Sequence, residues 1–287
     1  MRFMRLSVRT LPLVLLLFLL FPPTLQAGGS PEAPPAESGD AGGGTGEASA
    51  GPEAAADDSP ADPQGNLELV PGGVSPVPGF TTDFSRSLIP ADEILSGGPP
   101  KDGIPSIDDP RFVSADGVDW LGADEPVIVV TADERTRIYP LQILMFHEIV
   151  NDRVGDVPLA VTFCPLCNTS IVFRRRVDGE VLDFGTTGRL RYSNLLMYDR
   201  QTESWWQQAT GLAVIGDYVG TQLEIYPSLM LPWDRAVERF PDAAVLSRDT
   251  GYPPSRYGTN PYTGYDSATR PFLYQGPEVS GRYDPMA

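Results

Sequence analysis

Residues 157–173 read VPLAVTFCPLCNTSIVF, and this stretch decides the local architecture around both cysteines of the chain. The residues before Cys164 are mainly apolar or β-branched, and residues 169–173 are again strand-forming types. The intervening Cys-Pro-Leu-Cys is followed by Asn168, and Asn is, after Gly, the residue that best tolerates a left-handed backbone. We therefore predict two strands joined by a tight turn that directs two sulfur atoms to one point.

A turn of this kind is typical of a metal knuckle, although zinc and iron knuckles normally come in pairs that supply four ligands. This chain has no second cysteine pair, and its single histidine, His147, lies upstream of the turn across a predicted hairpin. Two cysteines, one histidine and an open position match a catalytic zinc arrangement, or a copper site if Met145 or Met197 approaches. The leading prediction is a zinc or copper site formed by His147, Cys164 and Cys167.

Two alternatives for the cysteine pair stay open. Outside the cytoplasm, two close cysteines often form a structural disulfide, and the chain would then be a ligand-binding module without enzymatic activity. The third alternative is a thiol–disulfide oxidoreductase, which requires a low pKa for Cys164. A thioredoxin-type pair gains that pKa from a helix N-terminus, whereas residues 168–173 favour a strand, so the local sequence lacks this device.

The first 27 residues predict export. Three arginines precede the short apolar run LPLVLLLFLLF, and the segment ends at Ala27. The run is shorter than the roughly 20 residues that span a bilayer, so we expect removal of the signal and no stable membrane insertion. Residues 28–79 are rich in Gly, Ala, Pro and acids and predict a disordered linker. The mature protein is expected in the periplasm or outside the cell.

The net charge limits the classes of partner, and the chain length limits the number of domains. The formal net charge of −17 argues against nucleic acid as a partner, because phosphate backbones require a basic surface. A small molecule or a metal ion is the expected partner. Residues 80–287 are long enough for one domain with a substantial core.

The folded part predicts mostly antiparallel strands. Residues 125–141 and 193–208 have the pattern of hairpins, and Asp178-Gly179 marks a third hairpin turn. Short helices are predicted after Pro140 and over residues 232–240. The expected fold class is α+β, a single domain of mainly antiparallel sheet with two or three short helices.

A second polar group lies in residues 194–208. Asp199, Trp206 and Gln208 are candidate cofactor-binding or ligand-binding residues, and Tyr198 would complete the pocket of the disulfide alternative. Strand alternation sends Trp205 and Trp206 to opposite faces of the hairpin. We expect one indole in the core and the other at a pocket.

Five stretches together resemble the exported bacterial family known as domain of unknown function 3179. They are HEIVND (147–152), TFCPLCNTS (162–170), FGTTGRL (184–190), NLLMYDRQTESWWQQ (194–208) and WDRAVERFPDAAVLSRDTGY (233–252). The resemblance extends from about Asp83 to the C-terminus. It implies no activity, but it implies that the three candidate ligands belong to a motif set with Asn151, Asp152, Gly185, Gly188, Asp199, Thr202, Ser204, Trp206 and Gln208.

The chain departs from the family pattern in two places and at its end. Similar proteins commonly have Gly at the position of Asn168, and a Val-Ser pair at Thr186 and Thr187. They also continue into a further strand and helix after the final GRYDPMA, so we expect a C-terminally truncated product.

Overall fold

A computed structural model describes residues 67–265 and 272–273. The predicted signal, the predicted linker up to residue 66 and the predicted truncation at the C-terminus lie outside these residues. Within them, no helix combines the length and the apolar character needed to cross a membrane.

The described residues form sixteen strands and two helices, in addition to short turns of 3-10 helix. The helices are α1 (Leu141–Leu144) and α2 (Trp233–Arg239). The strands are β1 (Leu95–Ser96), β2 (Phe112–Ser114), β3 (Pro126–Ala132), β4 (Arg135–Pro140), β5 (Ile149–Val154), β6 (Val157–Cys164), β7 (Thr169–Arg174), β8 (Arg176–Val177), β9 (Glu180–Val181), β10 (Phe184–Arg191), β11 (Asn194–Asp199), β12 (Trp205–Gln207), β13 (Leu212–Ile215), β14 (Ile225–Tyr226), β15 (Leu229–Pro232) and β16 (Ala244–Leu246).

The strands assemble into four sheets. Their orders are β1-β10-β11-β12-β13, β14-β7-β6-β5, β15-β3-β4-β16-β2 and the small pair β8-β9. Every pairing between these strands is antiparallel except that of β4 with β16, which is parallel. The predicted fold class, α+β with mainly antiparallel sheet, is confirmed.

The predicted hairpins are present. Strands β3 and β4 pair across Asp133 and Glu134, which both have positive φ, and β11 pairs with β12 as expected. Around Asp178-Gly179 the hairpin is limited to the two-residue strands β8 and β9. The preceding strand β7 instead pairs with β6 from Leu159 to Cys164, because the cysteine turn brings those two strands together.

Both predicted helices begin after a proline, but α1 is a single turn. Pro140 and Pro232 occupy the N-cap positions. Leu141, Ile143 and Leu144 are buried. Glu148, the residue before β5, has a φ of 58°.

Apolar clusters connect the sheets across long sequence distances. Trp206 packs in a cluster with Cys164, Phe173 and Phe184, whereas Trp205 packs in another with Phe84. The prediction of opposite faces is confirmed, but both indoles are fully buried. Val74, which lies in the range predicted as linker, is buried in the cluster of Trp205.

Candidate dithiol site

The two cysteines flank one turn of 3-10 helix between β6 and β7. Cys164 ends β6, Pro165–Cys167 form the turn, and Thr169 begins β7 opposite Cys164. Asn168 has φ 47° and ψ 40°, so it adopts the left-handed conformation that the sequence predicted. The strand–turn–strand arrangement therefore follows from local sequence.

The two thiols are free and differ in exposure. Cys164 is 1% exposed, whereas Cys167 is half-buried. The Cys164 sulfur lies 3.5 Å from the carbonyl oxygen of Ser193, so its one thiol proton is shared between this carbonyl and the Cys167 sulfur. A carbonyl oxygen can only accept, so this contact favours the protonated form of Cys164.

Most of the surroundings of Cys167 favour its thiolate, although its sulfur also lies 3.9 Å from the backbone carbonyl oxygen of Cys164, which can only accept. The strongest cause is the side-chain hydrogen bond with Cys164, and further donors are the backbone amide of Thr169 and the side-chain amide of Asn194. The Nδ2 atom of Asn194 lies 3.2 Å from the Cys167 sulfur. Although burial opposes ionisation, these donors lower the pKa of Cys167 to about 6.

The same contacts act on Cys164 in the opposite direction. Its hydrogen bond to Cys167 raises its pKa well above the usual value, and burial and the negative charges of Cys167 and Glu148 add to the effect. The pair therefore holds one thiolate and one thiol near neutral pH, with the thiolate on the more exposed sulfur.

A buried carboxyl group lies beside the pair. Glu148 is 7% exposed, and its backbone oxygen accepts from the amide of Phe163, next to Cys164. Burial, followed by the negative charge of Cys167, raises the pKa of Glu148 to about 8. Glu148 lines a cavity of about 110 Å³ together with Leu166, Leu195, Tyr262 and Phe272.

His147 does not join the cysteines in a three-ligand group. Its Nδ1 lies 2.7 Å from the carbonyl oxygen of Pro105, and its Nε2 lies 2.7 Å from the hydroxyl of Tyr257. Since the carbonyl can only accept, Nδ1 is the donor and Nε2 accepts from Tyr257. Across the described part of the chain, no group of three or more His, Cys, Asp or Glu side chains is placed to hold a metal ion. Both ring nitrogens of His147 have partners within the protein, and zinc or copper binding by His147, Cys164 and Cys167 stays a prediction.

Comparison with known proteins gives one match. A family model described as a protein of unknown function, DUF3179, matches residues 101–287. The chain belongs to the DUF3179 family. The match begins later than the resemblance from about Asp83 implied. No curated protein and no solved structure matches the chain.

Two of the DUF3179 motif residues predicted to bind a ligand are bonded to each other. Asp199 is fully buried and accepts from the Trp206 indole at 2.9 Å and from both the amide and the hydroxyl of Thr202. These bonds fix the β11–β12 turn within the protein. Ligand binding by Asp199 and Trp206 stays a prediction.

Gln208 occupies a different place. It is fully buried, and its Oε1 accepts from Asn194 at 2.7 Å. Gln208 is thus connected to the Cys167 sulfur through Asn194. From its sequence position, Gln208 was expected in a ligand pocket, and no sequence pattern indicated Asn194, Thr169 or Glu148 as site residues. Asn194 and Glu148 lie inside the stretches NLLMYD and HEIVND that carry the DUF3179 resemblance, but their distance along the chain gave no sign that they meet at the cysteines.

Proposed function

We propose that this DUF3179 chain carries out thiol–disulfide exchange through Cys164 and Cys167. The observation that carries the proposal is the side-chain amide of Asn194, which lies 3.2 Å from the half-buried sulfur of Cys167. The thiolate is the nucleophile in such exchange, and hydrogen-bond donors are what hold a sulfur as thiolate. On the sequence alone, an oxidoreductase requires a low pKa for Cys164, whereas these contacts favour Cys167 as the attacking residue.

The chemistry proceeds in two exchanges. The Cys167 thiolate attacks one sulfur of a substrate disulfide, forms a mixed disulfide, and releases the other substrate sulfur as a thiolate, which takes up a proton. Cys164 then loses its proton and attacks the Cys167 sulfur, which expels the second substrate thiolate and closes the Cys164–Cys167 disulfide. The protein dithiol is oxidised by two electrons and the substrate disulfide is reduced by two; the reverse direction donates a disulfide.

The lowered pKa of Cys167 affects both the rate and the preferred direction of thiol–disulfide exchange. A thiol with a pKa near 6 is about nine-tenths ionised at neutral pH, against a few per cent for an unperturbed cysteine. Stabilising this thiolate stabilises the reduced protein relative to its disulfide. The oxidised protein is therefore expected to donate its disulfide more readily than an unperturbed pair would.

Export from the cytoplasm is part of the proposal and rests on the N-terminal sequence pattern. An oxidising compartment supplies disulfide substrates. A zinc or copper ion bound by the two sulfurs is the competing proposal from the cysteine turn. The experiment described next also tests it.

The test uses single cysteine variants and oxidised glutathione. Cys164→Ser retains a hydroxyl donor beside Cys167, so we expect it to form a stable mixed disulfide of one glutathione per chain at about pH 7. Cys167→Ser retains only the buried Cys164, and we expect no adduct. Intact-protein mass spectrometry measures both, and the wild-type chain should instead accumulate an internal disulfide.

Thiol counting and elemental analysis of protein purified without chelator complete the test. An adduct on Cys164 rather than Cys167, or no adduct on either variant, contradicts the proposal. Stoichiometric zinc or copper that protects both thiols until chelation supports the metal site instead.

A further inference from the structure

The side-chain amide of Asn194, which lies beside Cys167, is held in one orientation. We infer that Gln207 and Gln208 are positioning residues that hold Asn194 with its Nδ2 directed at the Cys167 sulfur. The inference rests on the proposed thiol chemistry and concerns how the protein maintains the thiolate.

The orientation of Asn194 is set first by its own oxygen. Its Oδ1 accepts from the backbone amide of Ala209 at 2.9 Å and from the Gln207 side chain at 2.7 Å. A backbone N–H can only donate, so the oxygen of Asn194 must face Ala209. The Nδ2 atom consequently faces the opposite side, where it has the Cys167 sulfur at 3.2 Å and the Gln208 oxygen at 2.7 Å.

The orientation of Gln208 is determined independently. Its Nε2 lies 3.2 Å from the carbonyl oxygen of Thr169, which can only accept. The same Nε2 donates to the Thr162 hydroxyl at 2.9 Å, and that hydroxyl in turn donates to the carbonyl of Ile171 at 2.6 Å. Oε1 of Gln208 must therefore face Asn194. The backbone amide of Ala209 fixes the orientation of Asn194, and the backbone carbonyl of Thr169 fixes that of Gln208, so the network has one arrangement.

This network joins two sheets. Asn194 and Gln207 belong to β11 and β12, whereas Thr162 and Thr169 belong to β6 and β7. Its members are buried: Asn194 is 5% exposed, Gln207 is 5% exposed and Gln208 is 0% exposed. A buried and fully bonded amide network reorganises little, so its donor is in place before the sulfur ionises.

The test measures the pH profile of Cys167 alkylation by iodoacetamide in the Cys164→Ser chain, where Cys167 is the remaining thiol. Adding Asn194→Ala should move the midpoint upward by about one to two pH units, since it removes a hydrogen bond to a charged group. Gln208→Met keeps similar volume without hydrogen bonds and should move it upward by a smaller amount. Adding Asn151→Ala is the matched control, because Asn151 is equally buried and bonded to Phe184 and Asp108; its midpoint should not change.

Different results would contradict the proposed function and the positioning role of the glutamines. If the Cys164→Ser chain itself titrates at or above about 8.5, the proposed function is overturned. If it titrates well below that value while Asn194→Ala and Gln208→Met leave the midpoint unchanged, only the positioning role is overturned.

A second measurement does not depend on the folding of those variants. In the Cys164→Ser chain, the side-chain NH₂ resonances of Asn194 should shift with pH at the same midpoint as Cys167 alkylation. Resonances that do not move through that range contradict the inference.

Discussion

Glu148 is a buried carboxyl group on a left-handed residue, and its ionisation opposes folding. Its pKa rises to about 8 in the folded state, first through burial and then through the charge of Cys167, from a usual value of 4.5. The folded state therefore prefers the neutral acid. The cost is absent below about pH 4.5, grows as pH rises towards 8, and is constant above that.

We expect Glu148→Gln to raise the free energy of unfolding at pH 8 and above by on the order of 4 kcal/mol, and to change it little at pH 4. Glutamine has the same shape and carries no charge to bury. Urea unfolding across this pH range measures the difference, and the exposed Glu68→Gln serves as control. A gain of equal size at every pH would show that burial of charge is not the cause.

Cys167 contributes to stability with the opposite sign. Its folded pKa of about 6 lies below the usual 9.0, so its contribution is fully present above pH 9 and is lost as pH falls through 6. Because the two windows overlap, the Glu148→Gln comparison is best made in the Cys167→Ser chain. Burial, the main cause of the Glu148 shift, is unchanged in that background.

At the scale of elements, the turn from Cys164 to Thr169 depends on one backbone conformation. Asn168 has φ 47°, where residues with a Cβ other than Asn and Asp are disfavoured. The amide of Asn168 closes the turn onto the carbonyl of Pro165 at 3.4 Å. The turn thus sets the angle at which β7 leaves and the position of both sulfurs.

Asn168→Ala should lower the free energy of unfolding by about 1 kcal/mol, whereas Asn168→Gly should be nearly neutral. Glycine is the residue that the family resemblance implies at this position. Urea unfolding at fixed pH distinguishes the two variants. An equal loss in both would point to a side-chain contact of Asn168 rather than to its backbone conformation.

Strand β10 shows a second backbone requirement. Its register with β11 shifts between Thr186 and Arg189, and Gly188 lies in the bulge with φ 69°. A Cβ at Gly188 would lie 1.9 Å from the carbonyl oxygen of Pro99. Gly188 therefore permits a bend in β10 that a residue with a Cβ would not allow.

On the scale of the whole molecule, the segment before β1 is part of the core. Phe84 is 4% exposed and packs edge-to-face on Trp205 with ring centroids 5.3 Å apart. Val74 is hydrogen bonded through its amide to the carbonyl of Phe84 and is buried in the same cluster. The sheet that contains β12 and the segment from Val74 to Phe84 should therefore unfold together.

Phe84→Ala should lower the free energy of unfolding by about 3–5 kcal/mol while unfolding remains a single transition. The exposed Leu69→Ala is the control and should cost less than about 0.5 kcal/mol. Tryptophan fluorescence and far-UV circular dichroism should give coincident curves. Separate transitions would show that the segment folds independently of the sheets.

Sequence reasoning succeeded where the interactions are local. The β3–β4 and β11–β12 hairpins, the start of α2 after Pro232 and the left-handed Asn168 follow from residue types a few positions apart. Partners that are distant along the chain are not visible in the sequence. His147 was expected at the cysteines, but its hydrogen bonds to Pro105 and Tyr257 link three separate parts of the chain.

The sequence by itself determined the strand–turn–strand arrangement of the cysteines, the antiparallel α+β class and the membership of DUF3179. Backbone preferences and side-chain periodicity act over a few residues, so they are legible in the sequence. Only the tertiary structure decided that Cys167 rather than Cys164 has the lowered pKa, and that Asn194 and Glu148 lie beside the pair. A pKa depends on burial and on the direction of donors, and both arise only when β6, β7 and β11 pack together.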